Sequence, residues 1–194
     1  MDLRLINRRK IIQTEEKTAP TGTGHYETAT SRNRGNMKIG VISDTHLARV
    51  TPWLEQLMET HFKEVDLVLH AGDMVGLEVY QFLKAWKVEA VQGNMDGSSL
   101  RELLPRKKVL SLGAFRIGLI HGWGSAWGLE GRLRPEFSGI DCLVYGHSHT
   151  AANYREEGLL LFNPGSAAEA GLRSRSSVGL IHLNDRLTGE LIQL

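Results

Sequence analysis

The sequence contains one cysteine, Cys142, in 194 residues. A single thiol cannot close an intramolecular disulfide, and this one lies inside the apolar run 140–145, so the disulfide-stapled secreted scaffolds are excluded. A reducing, cytoplasmic compartment is the expectation. Long apolar runs are also missing. None approaches the roughly 18 residues that a membrane-spanning helix needs, and the Arg- and Lys-bearing first ten residues are not followed by the apolar core of a secretory signal. No membrane partner is expected. Charge of one sign is equally scarce, with 23 Lys and Arg against 22 Asp and Glu. Residues 1–36 hold seven basic and four acidic side chains, which leaves sixteen against eighteen in the remainder. That remainder lacks the basic footprint of a nucleic-acid-binding domain, so no stable nucleic-acid complex is expected.

The 41% hydrophobic and 23% charged content is that of an ordinary globular chain long enough for one well-buried domain. Residues 1–36, rich in Thr, Arg, Glu and Gly, have no sustained period and are read as a flexible N-terminal extension. They would serve as a basic arm for an acidic partner or, more plainly, as a leader ahead of a domain spanning 37–194. There is no internal repeat and no low-complexity segment.

From Met37 the chain repeats apolar strand, polar loop and amphipathic helix. Met37 to Ile42 reads as a strand. Thr51-Pro52 caps and opens a helix whose Trp53, Leu54, Leu57, Met58 and Phe62 recur at helical spacing. A strand over 67–71, a helix over 77–86 and a short strand over 88–92 follow. This alternation predicts parallel β-α-β units. The second half is richer in strands: 109–112 and 115–120 form a hairpin around Gly113-Ala114, a helix covers 129–133, and strands are expected near 140–145, 150–154, 159–162, 178–183 and 190–193. Two sheets face to face with helices outside account for the order.

The polar residues at the strand ends carry the chemistry. Gly146-His147-Ser148-His149 follows the apolar run 140–145. In an extended segment residues i and i+2 point to the same side, which would let both imidazoles face a cleft where open α/β sheets bind ligands. Taken alone, the pair fits structural or exposed roles equally well. Five strands, however, end in residues of metal-ligand type: Asp44 and His46, Asp73, Asn94, His121, then His147 and His149. A single Asp or Asn in such a place is ordinarily a turn former. Seven oxygen and nitrogen ligands, expected at one edge of one sheet, predict a metal centre.

These motifs, Asp44-Thr45-His46, Gly72-Asp73, Gly93-Asn94, His121-Gly122 and Gly146-His147-Ser148-His149 in series, resemble the calcineurin-like metallophosphoesterases. The short length and the Asn163-Pro164-Gly165-Ser166 segment are most similar to the small YfcE-type phosphodiesterases. The resemblance covers 37–194 and implies a four-layer αββα sandwich of two mixed β-sheets flanked by helices. It places Asp44, His46 and His149 on one divalent transition metal ion and Asn94, His121 and His147 on a second, with Asp73 bridging. Manganese is the first expectation, with nickel, cobalt, iron or zinc as alternatives, because mixed imidazole, carboxylate and amide ligands suit these ions. The implied reaction is hydrolysis of a small phosphodiester by hydroxide held between the metals, with Asp73, Asn94 and His121 in the catalytic set. Cys142 and the serines are then not nucleophiles, and Ser148 is a spacer.

Two positions depart from the family pattern. Many relatives carry a His after the Asn ligand, and here Met95 stands there; a thioether has no proton to give. Esters with acidic, aryl-like leaving groups should therefore react better than alkyl phosphomonoesters. Asp96 is either a substitute acid or, more simply, a turn or cap residue. Where relatives have His-Gly-His this chain has His121-Gly122-Trp123, and Trp123 with Trp127 reads as a hydrophobic lid or subunit contact, or as a stacking surface. A homo-oligomer stays open. His70 reads as a core histidine or one that supports a ligand, His25, His61 and His182 as surface or structural ones, Asn163 or Ser166 as a brace for a ligand, and Arg173 and Arg175 as an attraction for anionic substrate or, more simply, a solvated loop. The competing functions are a non-catalytic protein-binding scaffold on the same fold, as in a retromer subunit, and a phosphomonoesterase or nucleotide phosphatase.

Overall fold

The computed structural model describes residues 36–168 and 176–194. The expected extension, apart from Asn36, and the Arg173 and Arg175 loop lie outside the described residues. In chain order the elements are β1 (Met37–Ile42), α1 (Pro52–His61), β2 (Leu67–His70), α2 (Leu77–Leu83), β3 (Val88–Ala90), α3 (Ser98–Leu103), β4 (Lys107–Leu112), β5 (Phe115–Ile120), α4 (Leu129–Leu133), β6 (Cys142–Val144), β7 (Ala152–Glu156), β8 (Leu159–Asn163), β9 (Ser177–Leu183) and β10 (Leu187–Gln193). Short 3₁₀ turns, Lys84–Trp86 and Arg134–Glu136, extend α2 and α4.

The strands form two five-stranded sheets, ordered β10-β9-β1-β2-β3 and β4-β5-β6-β8-β7. Both are mixed. In the first, β1, β2 and β3 run parallel while β9 pairs antiparallel with β1 and β10. In the second, β5, β6 and β8 are parallel, with β4 and β7 antiparallel at the edges.

Period-two alternation assigns the faces. Ile39, Val41, Leu69 and Ile181 of the first sheet join Ile117, Leu119, Cys142, Val144 and Phe162 of the second in the core between the sheets. Their neighbours Ile42, Val68 and Leu180 turn the other way and join Leu54, Met58, Val79 and Leu83 of α1 and α2. Leu143, Tyr145 and Leu161 likewise leave the middle for Leu129 and Leu133 of α4. The result is the expected four-layer αββα sandwich.

Thr51 caps α1 through its hydroxyl, which accepts from the Leu54 N–H at 3.3 Å, and Pro52 fills the first helical position. α3 has no periodic signal in the sequence, because only Leu100 of its six residues is buried. One expectation is corrected. The metal-ligand residues follow β1, β2 and β3 of the first sheet but β5 and β6 of the second. They therefore meet across the carboxyl ends of two sheets, because hydrophobic period fixes a strand's face and not the sheet it joins. Among the described residues no helix is long and apolar enough to cross a membrane.

Candidate metal centre

The loops leaving β1 and β2 run side by side, joined by Asp44 N–H to Gly72 O at 3.0 Å and His46 N–H to Asp73 O at 3.1 Å. Across the sheets, the Ala167 N–H donates to Ser43 O at 2.9 Å and the Ser166 hydroxyl to Asp44 O at 3.0 Å. These ties hold an unusual backbone. Asp44, His46, Asp73, His147 and His149 all have φ between 51° and 69°, the left-handed region that non-glycine residues seldom enter. His147 and His149 are thus in turns, not in an extended segment, and they serve different groups of ligands.

In the first group, the Asp44 Oδ1 lies 3.2 Å from His149 Nε2 and 3.9 Å from His46 Nε2. The two imidazole nitrogens are 3.2 Å apart. In the second, His121 Nε2 is 3.3 Å from Asp73 Oδ2 and 3.2 Å from Asn94 Oδ1, and His147 Nδ1 is 2.9 Å from that same amide oxygen. Asp44 Oδ1 also lies 4.0 Å from His121 Nε2, so by distance it touches both groups, whereas the family pattern gives the shared place to Asp73.

Tautomers follow from the outer partners. His121 Nδ1 faces Ala71 O at 2.7 Å, and His147 Nε2 faces Gly124 O at 2.8 Å. A carbonyl only accepts, so both these nitrogens carry a proton, and in the neutral rings the opposite nitrogens turn their lone pairs inward. The inner atoms are then mostly acceptors confronting acceptors. Asp44 is fully buried; its Oδ2 accepts from the Ser43 hydroxyl at 2.6 Å and the His147 N–H at 3.1 Å, while among the described residues Oδ1 has no hydrogen-bond partner. A buried carboxylate oxygen without a donor is strongly unfavourable. A cation between these groups satisfies all of them, and carboxylate, imidazole and amide oxygen are the donor set for such an ion.

The protonation tendencies agree. Burial would lower the His121 pKa, yet its contact with Asp73 and the field of Asp44 raise it above the ordinary value. The Asp44 carboxylate beside it raises His149. Burial alone would raise Asp73, but the contact with His121 and the 2.6 Å bond from the Met95 N–H bring it below the ordinary carboxylate range. Excess negative charge in the cluster draws positive charge to it.

Bracing residues complete the centre. Asn163 donates to Gly146 O at 3.1 Å and to the Ser148 hydroxyl at 3.0 Å, so Ser148 is a brace as well as a spacer. His70 is wholly buried; its Nδ1 accepts from the Gly72 N–H at 3.2 Å and its Nε2–H points to the Thr45 hydroxyl at 3.3 Å, gripping both ligand loops. Burial pushes its pKa down to about 3. Asp96 accepts from the Val75 and Gly93 N–H groups, each at 2.7 Å, which makes it a loop brace. Glycine is required at two approaches: a Cβ on Gly93 would lie 2.2 Å from Asp73 Oδ1, and one on Gly146 would lie 2.0 Å from the Ser43 hydroxyl. The Ser43 and Gly124 contacts have no sequence signal beyond a Ser adjoining an Asp and a Gly-rich loop.

Beside Asn94 and His121 opens a cavity of about 620 Å³, lined also by Trp123, Arg101 and Arg106. Trp127 points to solvent, 89% exposed. Met95, next in sequence to Asn94 where many relatives carry a proton-donating His, is 58% exposed.

Fold and centre together define a metal-binding protein of the two-sheet αββα class. The chain belongs to the calcineurin-like phosphoesterase superfamily, whose domain profile matches residues 37–186. A probable metallophosphoesterase of Methanocaldococcus jannaschii is 38% identical over 164 residues, covering 82% of this chain and 83% of the relative. Among solved structures, an archaeal phosphodiesterase matches with a TM-score of 0.66 at 23% identity, over 81% of this chain and all of that one. A zinc complex of Vps29 from Entamoeba histolytica matches with 0.60 at 27%, over 81% and 99%. Membership and the ligand cluster make this chain a metal-dependent phosphoesterase, a hydrolase of phosphoester bonds.

Proposed function

We propose that the chain hydrolyses small phosphodiesters at a centre for two divalent transition metal ions, manganese first among them, in the cytoplasm. The observation that carries the reading is the partnerless, buried Asp44 Oδ1 with three imidazole Nε2 atoms within 4.0 Å. Asp44, His46 and His149 hold one ion. Asp73, Asn94, His121 and His147 hold the other, with Asp73 shared as in the family pattern. When bound, such ions acidify water and neutralise charge on phosphate oxygens.

The chain's own groups decide which esters react. Asp73, Asn94 and His121 line the reacting centre and orient the phosphate. Among the described residues, the two side chains that follow Asn94 offer no proton to the leaving oxygen: the thioether of Met95 has none, and both oxygens of Asp96 already accept backbone N–H groups. Diesters whose leaving group is a stable anion are thereby favoured over alkyl phosphomonoesters.

Hydrolysis of bis(p-nitrophenyl) phosphate by metal-stripped protein, with Mn, Ni, Co, Zn and Mg restored in turn, tests the reading. A transition metal restores turnover, and Asp73→Ala abolishes it. No turnover with any metal in a folded chain refutes the enzyme and leaves the binding scaffold, a reading that the Vps29 likeness keeps in view. Metal uptake does not separate the two, since that Vps29 was solved with zinc.

A further inference from the structure

The cavity next to Asn94 and His121 has a charge pattern the hydrolytic centre does not require. Arg101 projects from α3 and Arg106 immediately precedes β4. Among the described residues neither guanidinium has an ion pair or a hydrogen bond, whereas Lys107 in the same cavity is held by Glu136 at 2.7 Å. Two uncompensated cations therefore face one space.

Their placement is built. Lys107 pairs with Ile120 in the β4–β5 register, which brings Arg106 alongside His121. Gln92, two residues before Asn94, donates its backbone N–H to Pro105 O at 2.9 Å and its side-chain amide to Leu104 O at 2.8 Å and Arg101 O at 3.3 Å. The segment bearing both arginines is thus tied to the strand end that bears Asn94. Trp123 forms another wall, and Arg132 anchors its loop by donating to the carbonyls of Trp123 at 3.2 Å and Trp127 at 2.9 Å. A volume of about 620 Å³ is that of a small-molecule site.

We propose that this cavity is a subsite for one ester arm of the substrate, and that the arm is a nucleoside bearing a second phosphate: the ring lies against Trp123 and the remote phosphate is gripped by Arg101 and Arg106. Guanidinium forks match phosphate oxygens in pairs, and an indole face stacks on any base. The inference rests on the phosphodiesterase reading for the reacting group alone, and its test is a binding measurement, so the two fail separately.

The manganese-loaded full chain is titrated with thymidine 5′-phosphate and with thymidine 3′,5′-bisphosphate, read by tryptophan fluorescence. The bisphosphate binds about tenfold or more tighter. The advantage shrinks between about 0.05 and about 0.5 M NaCl. Arg101→Gln with Arg106→Gln brings the two ligands to within about twofold, the melting temperature being the check on folding. Trp123→Leu weakens both ligands alike. Equal affinities in the unaltered chain, or an advantage that survives high salt or the double substitution, overturns the subsite. Absence of bis(p-nitrophenyl) phosphate hydrolysis with the bisphosphate advantage intact refutes the phosphodiesterase reading and leaves the subsite standing.

Discussion

Acid should unfold this chain through His70. Its ring is wholly enclosed, with Nδ1 accepting from the Gly72 N–H. Protonation would set a second N–H against that donor in a place without water. Burial is the main reason that its pKa falls from 6.5 to about 3; the carboxylates of Asp44 and Asp73 oppose the shift, and the imidazoles of His121 and His46 reinforce it. Below pH 6.5 the unfolded chain takes up a proton that the folded chain refuses. Stability from this residue is therefore complete above 6.5 and falls with pH by about 1.4 kcal/mol per unit until about pH 3. At about pH 5 the loss is about 2 kcal/mol, a large share of the roughly 5–15 kcal/mol that holds a domain together.

The assay is urea unfolding of metal-stripped protein in EDTA, from about pH 8 to about pH 5, for the unaltered chain and for His70→Asn. The asparagine oxygen can accept from the Gly72 N–H and does not titrate. His121 and His149, whose pKa values are raised in the fold, work in the opposite sense: their contribution is full below 6.5 and is lost as pH rises through their folded values. Both chains retain them, so they cancel in the difference. The difference should shrink toward acid by about 2 kcal/mol. Parallel profiles would falsify the neutral, buried His70.

Four further outcomes are expected. Asp44→Asn keeps acceptors for Ser43 and His147 and removes the partnerless charge, so at about pH 8 the metal-free variant should be as stable as the unaltered chain or up to about 2 kcal/mol more so. It should also lose the rise in melting temperature that manganese gives the unaltered chain; a less stable metal-free variant contradicts this. Gly146→Ala drives a methyl to 2.0 Å from the Ser43 hydroxyl and 2.8 Å from Asp44 Oδ2, and should lower the urea stability by about 1–3 kcal/mol while depressing turnover. Met95→His puts a proton donor next to Asn94 and should accelerate alkyl phosphodiesters by up to about 10²- to 10⁴-fold while leaving aryl diesters nearly unchanged; an unaltered alkyl-to-aryl rate ratio argues against a missing acid. Asn163→Ala frees Gly146 and Ser148, and calorimetric titration with manganese should show affinity weakened by about 10- to 100-fold.

The layers were legible because burial imposes a period. Ile39 and Val41 alternate with Gly40 and Ile42, and the alternation alone separates the middle core from the helix side. Thr51-Pro52 announced a helix start for the same local reason. Which sheet received β5 and β6 was not legible, since strand pairing is a long-range event and Leu119 looks the same on either sheet. The conformations of His147 and His149 were also hidden. Their left-handed backbones are imposed from a distance, by the His147 N–H bond to Asp44, 103 residues away, and by the Asn163 brace under Gly146. Arg101 and Arg106 carried no motif, because their meaning lies in the β4–β5 register and the Gln92 tie.

Five ligand residues in the left-handed region are a standing destabilisation, roughly 1–2 kcal/mol each for a residue with a Cβ. Buried Asp44, with one oxygen unpartnered, adds to it. Such strain persists only where the surroundings over-determine it, and here the cross-loop bonds from Asp44, His46 and Ala167 do so. The same strands could end in relaxed turns with neutral side chains and carry the same outer surfaces, so a role confined to protein contact leaves the strain without a use. A bound cation gives it one, because the acceptors that repel one another without it all gain by its presence. The strain accounts for metal binding and not for turnover, since a Vps29 was solved with zinc. Turnover needs in addition a phosphate correctly placed beside Asn94 and His121, which is where the Arg101, Arg106 and Trp123 cavity opens. The manganese response of Asp44→Asn reads the first condition and diester hydrolysis the second, so a chain that passes one and fails the other would be a metal-holding scaffold and not an enzyme.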